Sequence, residues 1–332
     1  MSGSPSPVLG VDAGGSGCRA LLVSAAGVVL GRAEGGPAQA ALAPTTLAAS
    51  LGGMLAELGQ NLQGPPRGGV RVVAGFAGAA AEQGRRRARR ALGRVLASGG
   101  WHVTALTVVT DLEVVLAAAA DPGEPAAVLL ASTGSVAVAC GASAPFVRVG
   151  GWGRYLGDEG SGFWLGWRAL GAVLRSGDGR PPESHTLAPA LLGALGLASP
   201  SDLAWAAQRL WTEPARVAGL APLVLAQAQA GDPAATDLVA QAATALAELL
   251  LVARHRSGVG PEVPSALAGG LWRADACSGG VLERALRSKL PVALADALTP
   301  LRLPPVAGAV CLGLEPSAAR TLRAGLAAEA PM

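Results

Sequence analysis

The sequence predicts an α/β protein of two domains, each a mixed β-sheet flanked by helices, with a cleft between them. The chain has 332 residues, which is more than one hydrophobic core usually accommodates. Short apolar stretches of strand length alternate with longer stretches of helical periodicity. A pattern of strand, turn, strand, turn and strand begins near residue 8 and begins again near residue 127. The second half of the chain is therefore predicted to be a diverged copy of the first.

The first half opens with three strands joined by glycine-containing turns, at the spacing of short hairpins. These strands are predicted over Val8 to Asp12, Arg19 to Ser24 and Val28 to Ala33. The elements predicted next are a helix over about 46–62, a strand over 70–75, a helix over about 79–97 and a strand over 105–110. This order is that of a ribonuclease-H-like domain, in which ligands gather at the carboxyl ends of the strands.

The second half repeats the strand pattern and then adds helices. The elements predicted are strands over 127–131, 136–140 and 146–149, helices between about 160 and 256, a strand over 265–268 and a helix over 274–288. We expect an N-terminal domain over residues 1–116 and a larger C-terminal domain over 117–315 that carries the helical insertion. A hinge is expected near 112–124, and a C-terminal helix over about 316–330 is expected to pack back on the first domain.

Composition excludes several classes of protein. The four cysteines lie far apart and form no CxxC pair, which fits neither a disulfide framework nor a zinc site. The one lysine, Lys289, lies beside no glycine-rich loop, which excludes P-loop and protein-kinase nucleotide sites. No apolar stretch reaches the roughly 20 uninterrupted residues of a membrane span, and no signal peptide precedes the first apolar run. A cytoplasmic protein is therefore expected.

Six arginines lie between residues 85 and 94, although the net charge of the chain is only +3. Ala88, Leu92 and Leu96 fall at helical spacing among them. We interpret this segment as an amphipathic helix whose charged face is solvated. The small net charge gives no general case for nucleic acid, so neither a nucleic-acid nor a membrane partner is expected.

A glycine-rich turn follows the first predicted strand, in the segment from Gly10 to Arg19. Glycines let backbone N–H groups approach phosphate oxygens, so Gly14, Gly15 and Ser16 are candidate ATP-binding residues. Asp12, at the end of the strand, is a candidate ligand of a hydrated magnesium ion. The structural alternative is an ordinary glycine-rich hairpin turn.

Asp111 directly follows the predicted strand 105–110. A partly desolvated carboxylate at a strand end can accept a proton from a substrate hydroxyl, and a positioned base of this kind contributes about 10²- to 10⁴-fold in rate. Aspartate is also a common helix N-cap, and Thr110-Asp111 ahead of an apolar helix fits that role. Both interpretations remain open from the sequence alone.

The second half offers two further loops. Thr133, Gly134 and Ser135 occupy the turn equivalent to the glycine-rich turn, and two such turns facing each other across a cleft would hold a polyphosphate; two unrelated β-turns are the alternative. A second segment, from Gly150 to Ser161, combines glycines with aromatic and adjacent acidic residues, which suits a ligand loop. Its candidate substrate-binding residues are Gly151, Trp152, Asp158 and Glu159. The two acids would also suit the start of a helix over 159–170.

These motifs resemble those of the N-acetylglucosamine kinases and the BadF/BadG/BcrA/BcrD ATPases, within the sugar kinase, Hsp70 and actin superfamily. The segment Gly-Gly-Trp-Gly-x-x-x-Gly-Asp-Glu-Gly-Ser at 150–161 matches the sugar-site signature of that family. Ser265 to Gly270 resembles its adenosine motif, which adds Gly269 and Gly270 to the candidate ATP-binding residues. The resemblance spans nearly the whole chain. It implies two actin-like ATPase domains, ATP and Mg²⁺ as cofactors, a sugar as substrate and a homodimer.

The resemblance also implies roles for individual residues. Asp111 would be the general base on a sugar hydroxyl, expected to be the 6-hydroxyl, and Asp12 would hold Mg²⁺ through water. The residues that would line the sugar pocket are Thr133, Gly151, Trp152, Asp158 and Glu159. The chain departs from the family at Ala13 and Ser132, where glycine is usual, and at Gln39, where relatives carry an asparagine that binds sugar hydroxyls. Gln39 leaves recognition of a 2-acetamido group open.

The predicted function is ATP-dependent phosphorylation of an amino sugar, with N-acetylglucosamine as the first candidate and glucosamine or N-acetylmuramic acid as alternatives. A second hypothesis is an ATPase that activates a partner enzyme by passing electrons from an iron–sulfur cluster, which requires cysteine thiolates. A third is a regulator that binds sugar and DNA. It would need a helix-turn-helix domain, for which the sequence offers no segment ahead of the first glycine-rich turn.

Overall fold

The computed structural model describes residues 6–142 and 146–329. Internal contacts divide the chain into two compact units. Unit 1 comprises Met1–Glu124 and Leu301–Met332, and unit 2 comprises Pro125–Pro300. Residue 330, the last of the predicted C-terminal helix, lies outside the described residues.

The helices and strands fall into three consecutive stretches of the chain. Residues up to 124 form β1 (Val8–Ala13), β2 (Cys18–Val23), β3 (Val29–Gly35), α1 (Pro44–Asn61), β4 (Val70–Phe76), α2 (Glu82–Ser98), β5 (Val103–Thr110) and α3 (Asp111–Ala119). Residues 125–300 form β6 (Ala126–Ala131), β7 (Ser135–Cys140), β8 (Val147–Gly150), α4 (Gly162–Gly177), α5 (Leu187–Leu195), α6 (Pro200–Thr212), α7 (Pro214–Ala218), α8 (Ala221–Gln229), α9 (Pro233–Ser257), β9 (Ser265–Ala268), α10 (Gly270–Cys277), α11 (Val281–Arg287), α12 (Val292–Asp296) and β10 (Leu298–Pro300). The remaining residues form α13 (Pro305–Cys311) and α14 (Pro316–Glu329).

The two units contain sheets of the same design. In unit 1 the strand order is β3-β2-β1-β4-β5, and in unit 2 it is β8-β7-β6-β9-β10. In each sheet the first three strands along the chain pair antiparallel, and the last two join them in parallel. The predicted fold class, two mixed sheets flanked by helices, is therefore confirmed.

Helices cover both faces of the sheet in unit 1. On one face α1 and α2 bury Leu51 and Leu92 together with Leu9 of the sheet. As the sequence predicts, α2 buries Ala88, Leu92 and Leu96, and it exposes four of its six arginines. The other face packs on α13 and α14. A Cβ atom on Gly10 would lie 2.8 Å from the carbonyl oxygen of Val306, so this glycine lets α13 approach β1 closely.

The division of the chain differs from the predicted boundaries. A boundary at 116/117 would cut α3, whereas the division falls after residue 124. Residues 301–315, which the sequence analysis assigned to the C-terminal domain, belong to unit 1 because α13 packs on α3 and β1. A Cβ atom on Gly308 would lie 1.9 Å from the carbonyl oxygen of Val114, which shows how closely these helices pack. This contact joins residues distant in sequence, and no local pattern indicates it.

The helical insertion of unit 2 packs around α9. Among the described residues α9 is the one continuous helix whose length and apolarity would suffice to cross a membrane, and α5 with α6 would form a second, bent by 54°. Asp237 and Glu248 interrupt the apolar residues of α9, so the helix contains no uninterrupted apolar stretch of about 20 residues. Its side chains Leu238, Leu246 and Leu250 lie in the hydrophobic core of unit 2. Core helices of soluble proteins satisfy the same length and apolarity criterion.

The single helix predicted over 274–288 is two helices, α10 and α11. Gly279 and Gly280 between them have positive φ, which interrupts the α-helical backbone. The buried carboxylate of Asp275 accepts hydrogen bonds from the backbone N–H groups of Leu282 and Glu283 at the start of α11. The break is therefore stabilised by a side chain that caps the second helix from the first.

Candidate functional site

Two carboxylates lie at the carboxyl ends of neighbouring strands in unit 1. Asp12 of β1 is in register with Gly75 of β4, and Gly75 is in register with Val109 of β5, two residues before Asp111. Burial raises the pKa of Asp12 to about 6; the negative charge of Asp111 adds to the rise, and the guanidinium of Arg19 opposes it. The structure thus brings together the predicted metal ligand and the predicted base.

The start of α3 settles which residue caps that helix. The N-cap is Thr110, whose hydroxyl accepts a hydrogen bond from the N–H of Glu113 at 3.2 Å. The Glu113 carboxylate in turn accepts hydrogen bonds from the backbone N–H and the hydroxyl of Thr110, both at 2.8 Å. Asp111 is the first residue of the helix rather than its cap. Its neighbours complete the capping box, so capping does not explain an aspartate at this position.

The glycine-rich turn of unit 1 is anchored by its backbone and leaves its tip accessible. The N–H of Gly14 donates to the carbonyl of Gly17 at 2.9 Å, and the N–H of Ala38 donates to the carbonyl of Gly14 at 3.0 Å. Gly15 and Ser16 are exposed. A Cβ atom on Gly14 would have no neighbour closer than 3.6 Å, so there is open space beside the turn. Such a turn can accommodate phosphate oxygens against backbone N–H groups.

Gln39 lies against this turn. The residues on either side of it are held by hydrogen bonds, from Ala38 N–H to the carbonyl of Gly14 and from Ala40 N–H to the carbonyl of Ala77. The Oε1 atom of Gln39 is 3.6 Å from the position that a Cβ atom on Gly15 would occupy. The carboxamide is therefore beside the predicted phosphate turn, where it offers one donor group and one acceptor.

In unit 2 the equivalent turn is tied to the start of α4. Within the turn, the N–H of Ser132 donates to the carbonyl of Gly134 at 2.8 Å. The N–H groups of Gly162 and Phe163 donate to the carbonyls of Ser132 and Thr133, at 2.8 and 3.2 Å. The predicted start of this helix at residue 159 is wrong because Ser161 is the N-cap, so the two acids of the signature precede the helix.

Asp158 joins the two loops of unit 2. Its carboxylate accepts hydrogen bonds from the backbone N–H groups of Ser135 and Gly153, and a Cβ atom on Gly134 would lie 2.7 Å from its Oδ2 atom. Burial raises its pKa, which these two hydrogen bonds oppose. The hydroxyl of Ser135 donates to the backbone carbonyl of Glu159 at 2.7 Å. The residues predicted to bind phosphate and sugar thus form one hydrogen-bonded network.

Gly269 and Gly270 lie at the carboxyl end of β9, beside the end of β6. Gly269 has a φ of +108°, and a Cβ atom there would lie 2.1 Å from the carbonyl oxygen of Ala131. Packing against β6 therefore requires glycine at this position whether or not a ligand binds. Gly270 begins α10, and a Cβ atom on it would have no neighbour closer than 3.7 Å.

The match to known proteins covers most of these elements. The BadF/BadG/BcrA/BcrD ATPase family matches residues 9–296. The chain belongs to this family. The predicted family is thereby confirmed, and the match includes the carboxylates of unit 1 and the loops of unit 2.

Two relatives of this ATPase are named as kinases of amino sugars. The glucosamine kinase GspK of Vibrio cholerae is 27% identical over 258 residues, which cover 75% of this chain and 81% of that protein. The N-acetyl-D-glucosamine kinase of Dictyostelium discoideum is 35% identical over 124 residues, which cover 37% of this chain and only 39% of that protein.

Solved structures show the same fold. A candidate N-acetylglucosamine kinase of Chromobacterium violaceum superposes with a TM-score of 0.70 at 29% identity, over 93% of this chain and 99% of that one. The ROK hexokinase of Thermus thermophilus superposes with a TM-score of 0.53 at 19% identity, over 95% and 98%, which is evidence for the fold alone. The prediction of a sugar kinase agrees with the names of these proteins.

The residues of this protein fit ATP phosphates and Mg²⁺, the two groups expected from the resemblance to its family. The turn at Gly14 and Gly15 has no side chains at these positions, which leaves room for phosphate oxygens. Among the described residues no three metal-ligating side chains cluster. Mg²⁺ needs fewer, because it is usually held by one or two carboxylates together with water and phosphate. Asp12 and Asp111 supply such carboxylates, and a divalent cation would relieve the repulsion between them.

Sequence reasoning missed Arg148 of β8. Its Nε donates to the carbonyl of Gly150 at 2.9 Å, and its Nη2 donates to the carbonyl of Gly151 at 2.7 Å. Its guanidinium also lies 4.6 Å from the ring centroid of Trp152. Arg148 stands two residues before the signature, and a charged residue in a short strand leading into a ligand loop was the available signal.

Proposed function

We propose that the chain is an ATP-dependent kinase that phosphorylates a hydroxyl of an amino sugar, with N-acetylglucosamine the first candidate and the 6-hydroxyl the expected acceptor. The observation that carries the proposal is the pair Asp12 and Asp111, two half-buried carboxylates at adjoining strand ends beside an open glycine turn. Kinases of this architecture need one acid for the metal and one for the proton. The relatives named as amino-sugar kinases support the same assignment.

Unit 1 would supply the chemistry of phosphoryl transfer. Asp111 would accept the proton of the attacking hydroxyl, and Asp12 would hold Mg²⁺ through water. Bound Mg²⁺ would neutralise charge on the phosphates. The turn at Gly14, Gly15 and Ser16 would donate backbone N–H groups to phosphate oxygens. In-line positioning and charge neutralisation account for most of the catalysis of such transfers.

Unit 2 would supply recognition of the sugar and a second set of phosphate contacts. Thr133, Gly134 and Ser135 would contact phosphate, with Gly269 and Gly270 beside adenosine. The indole of Trp152 is 69% exposed and offers a flat apolar face to a sugar ring. The Glu159 carboxylate would accept hydrogen bonds from sugar hydroxyls. Asp158 already accepts two backbone hydrogen bonds, so its remaining acceptor sites would be the ones to bind sugar.

The experiment that tests the proposal is a substrate panel. ATP-dependent phosphorylation would be measured on N-acetylglucosamine, glucosamine, N-acetylmannosamine, N-acetylmuramic acid and glucose. Asp111→Asn should lower turnover at least about 10²-fold, whereas Asp178→Asn, at an exposed aspartate paired with Arg180, should retain it. No turnover on any sugar, with ATP still bound, would contradict the proposal. NMR of the product would locate the phosphate and test the 6-hydroxyl.

The panel also addresses Gln39. An asparagine at this position binds sugar hydroxyls in the resembling family, and the longer side chain here lies against Gly15. We infer that Gln39 contacts the acceptor and the transferring phosphate together. Glucosamine and N-acetylglucosamine differ only at the 2-amino group, so their relative kcat/KM values would report whether the acetamido group is recognised.

The electron-transferring activator is the alternative from another class. It requires several accessible cysteine thiolates to hold a cluster. Cys18 and Cys311 are buried, Cys140 at the end of β7 is half-buried, and Cys277 on α10 is exposed. A brown colour in anaerobically purified protein would favour it over the kinase. We further propose a soluble cytoplasmic homodimer that binds neither nucleic acid nor membrane. Size-exclusion chromatography with light scattering tests the dimer.

A further inference from the structure

Arg148 of β8 contacts the backbone at the start of the signature loop. Its two hydrogen bonds, to the carbonyls of Gly150 and Gly151, hold the first residues of the signature loop. Both glycines have positive φ, 78° and 69°, a conformation that other residues rarely adopt. Arg148 itself is fixed because β8 pairs with β7, with Arg148 opposite Val138. A paired strand thus carries the side chain that holds the start of the signature loop.

The same guanidinium packs on the ring of Trp152. Its carbon atom lies 4.6 Å from the ring centroid, which is within the range of a cation–π contact. One face of the indole is therefore covered by Arg148. Because the side chain remains 69% exposed, the other face is accessible. Only that face can receive a sugar ring.

Asp158 holds the loop from the other side. Its carboxylate accepts the N–H of Gly153, while Arg148 donates to the carbonyls of Gly150 and Gly151. The positive charge of Arg148 lowers the pKa of Asp158 and so favours its charged form, although burial has the larger, opposite effect. Trp152 lies between the residues that these two side chains hold.

We propose that Arg148 is the positioning residue of the sugar site: it fixes the 150–153 backbone and presents one defined face of Trp152 to the acceptor ring. The inference rests on the proposed function. It extends that function by assigning ring stacking, rather than hydroxyl recognition alone, as the means by which unit 2 selects a pyranose. Prior ordering of the loop reduces the entropy cost of binding.

The test compares Arg148→Met with a matched variant, Arg168→Met. Arg168 is an exposed residue of α4, outside the loop, and its guanidinium lies 5.4 Å from the ring centroid of Trp164; no hydrogen bond from it to a backbone carbonyl is present among the described residues. Arg148→Met should raise the KM for the sugar at least about tenfold, since hydrogen bonds from a charged group are lost. The KM for ATP should change less than about twofold. Arg168→Met should change neither.

Arg148→Lys refines the comparison. Lysine keeps the charge but lacks the planar fork that contacts two carbonyls and stacks on an indole, so the sugar KM should rise by an intermediate factor of about three. If Arg148→Met does not fold, as judged by circular dichroism, Arg148→Lys carries the test. A wild-type sugar KM in the variant that folds, or an equal rise in the KM for ATP, would overturn the proposal.

Hydrogen exchange separates this inference from the proposed function. Amides in the peptide covering 150–157 should exchange faster in Arg148→Met than in the wild type, and Arg168→Met should leave the rates unchanged. If the wild-type protein phosphorylates no sugar, the proposed function fails, yet the exchange comparison still reports whether Arg148 fixes the loop. Unchanged exchange in Arg148→Met would refute the positioning role by itself.

Discussion

The two sheets have the same strand order but differ in the turns at the ends of their strands. In unit 1 the turn after β1 has open space beside it, and two carboxylates lie nearby. In unit 2 the turn after β6 is crowded by Asp158 and bonded to the start of α4. The two units thus share a framework and differ in their loops.

We infer from this difference a division of function, with the chemistry in unit 1 and recognition in unit 2. An open turn with acids beside it suits a charged ligand that enters and leaves, and the acids suit proton and metal chemistry. A turn that is hydrogen-bonded to a ligand loop suits recognition, because binding at one loop constrains the other. In unit 2 two hydrogen bonds connect them: the hydroxyl of Ser135 donates to the carbonyl of Glu159, and the carboxylate of Asp158 accepts from the N–H of Ser135. Matched substitutions in the two units test this division.

The largest expected difference between the units is in the kinetic constants of variants with one substitution in each unit. Asp111→Asn in unit 1 should lower kcat about 10²- to 10⁴-fold with little change in the sugar KM, because it removes a base and leaves the sugar contacts of unit 2. Glu159→Gln in unit 2 should raise the sugar KM about tenfold and change kcat much less, because it weakens hydrogen bonds to hydroxyls. Steady-state assays on the best panel sugar give both constants. The same pattern in both variants would contradict the division.

Asp12 of unit 1 should also cost stability in a pH-dependent manner. The pKa of Asp12 is raised to about 6 from 3.8, so the folded protein retains a proton between those pH values that the unfolded chain has lost. Stability contributed by this group therefore falls as the pH rises through that window. Above pH 6 the buried charge costs up to about 3 kcal/mol. Asp12→Asn removes this cost and should be more stable than the wild type at pH 8.

Thermal unfolding in EDTA at several pH values measures this effect. The difference in melting temperature between Asp12→Asn and the wild type should be greatest at pH 8 and should shrink towards pH 4, where the wild-type carboxyl is protonated in the folded state and partly protonated in the unfolded one. Asp178→Asn controls for the change in net charge. A constant difference at every pH, or a less stable Asp12→Asn at pH 8, would show that the Asp12 charge is not the cause. The same variant should lose kinase activity.

Local sequence patterns were sufficient to predict the framework of the fold and to select the two acids of unit 1 as candidates. Strand ends follow from apolar runs bounded by glycines, and an aspartate that follows such a run is visible in the sequence. Thr110 and Glu113 also form a recognisable capping box, and it assigns the cap to Thr110 and not to Asp111. The predicted elements were most accurate where periodicity and turn residues agreed.

Contacts between segments that are distant in the chain could not be predicted from local sequence patterns. The assignment of 301–315 to unit 1 depends on α13 packing against α3, and the break before α11 depends on a cap from Asp275. The acids of the signature could be interpreted as helix-terminal residues because the sequence does not show that Asp158 lies against the turn at Gly134. Arg148 was not predicted for the same reason, because its contacts with Trp152 and with the carbonyls of Gly150 and Gly151 appear only in the folded structure.

One substitution made in both turns should give the smallest effect and compare the units most directly. In Gly134→Ala the new methyl group would lie 2.7 Å from Oδ2 of Asp158, a carboxylate that two backbone hydrogen bonds prevent from moving freely. We expect a loss of about 1–3 kcal/mol in the free energy of unfolding. In Gly14→Ala the nearest atom is 3.6 Å away, so the change should stay within about 0.5 kcal/mol. Urea unfolding of both variants measures the contrast. Equal losses would mean that the turn of unit 2 is no more constrained than the turn of unit 1, and recognition would then need another explanation.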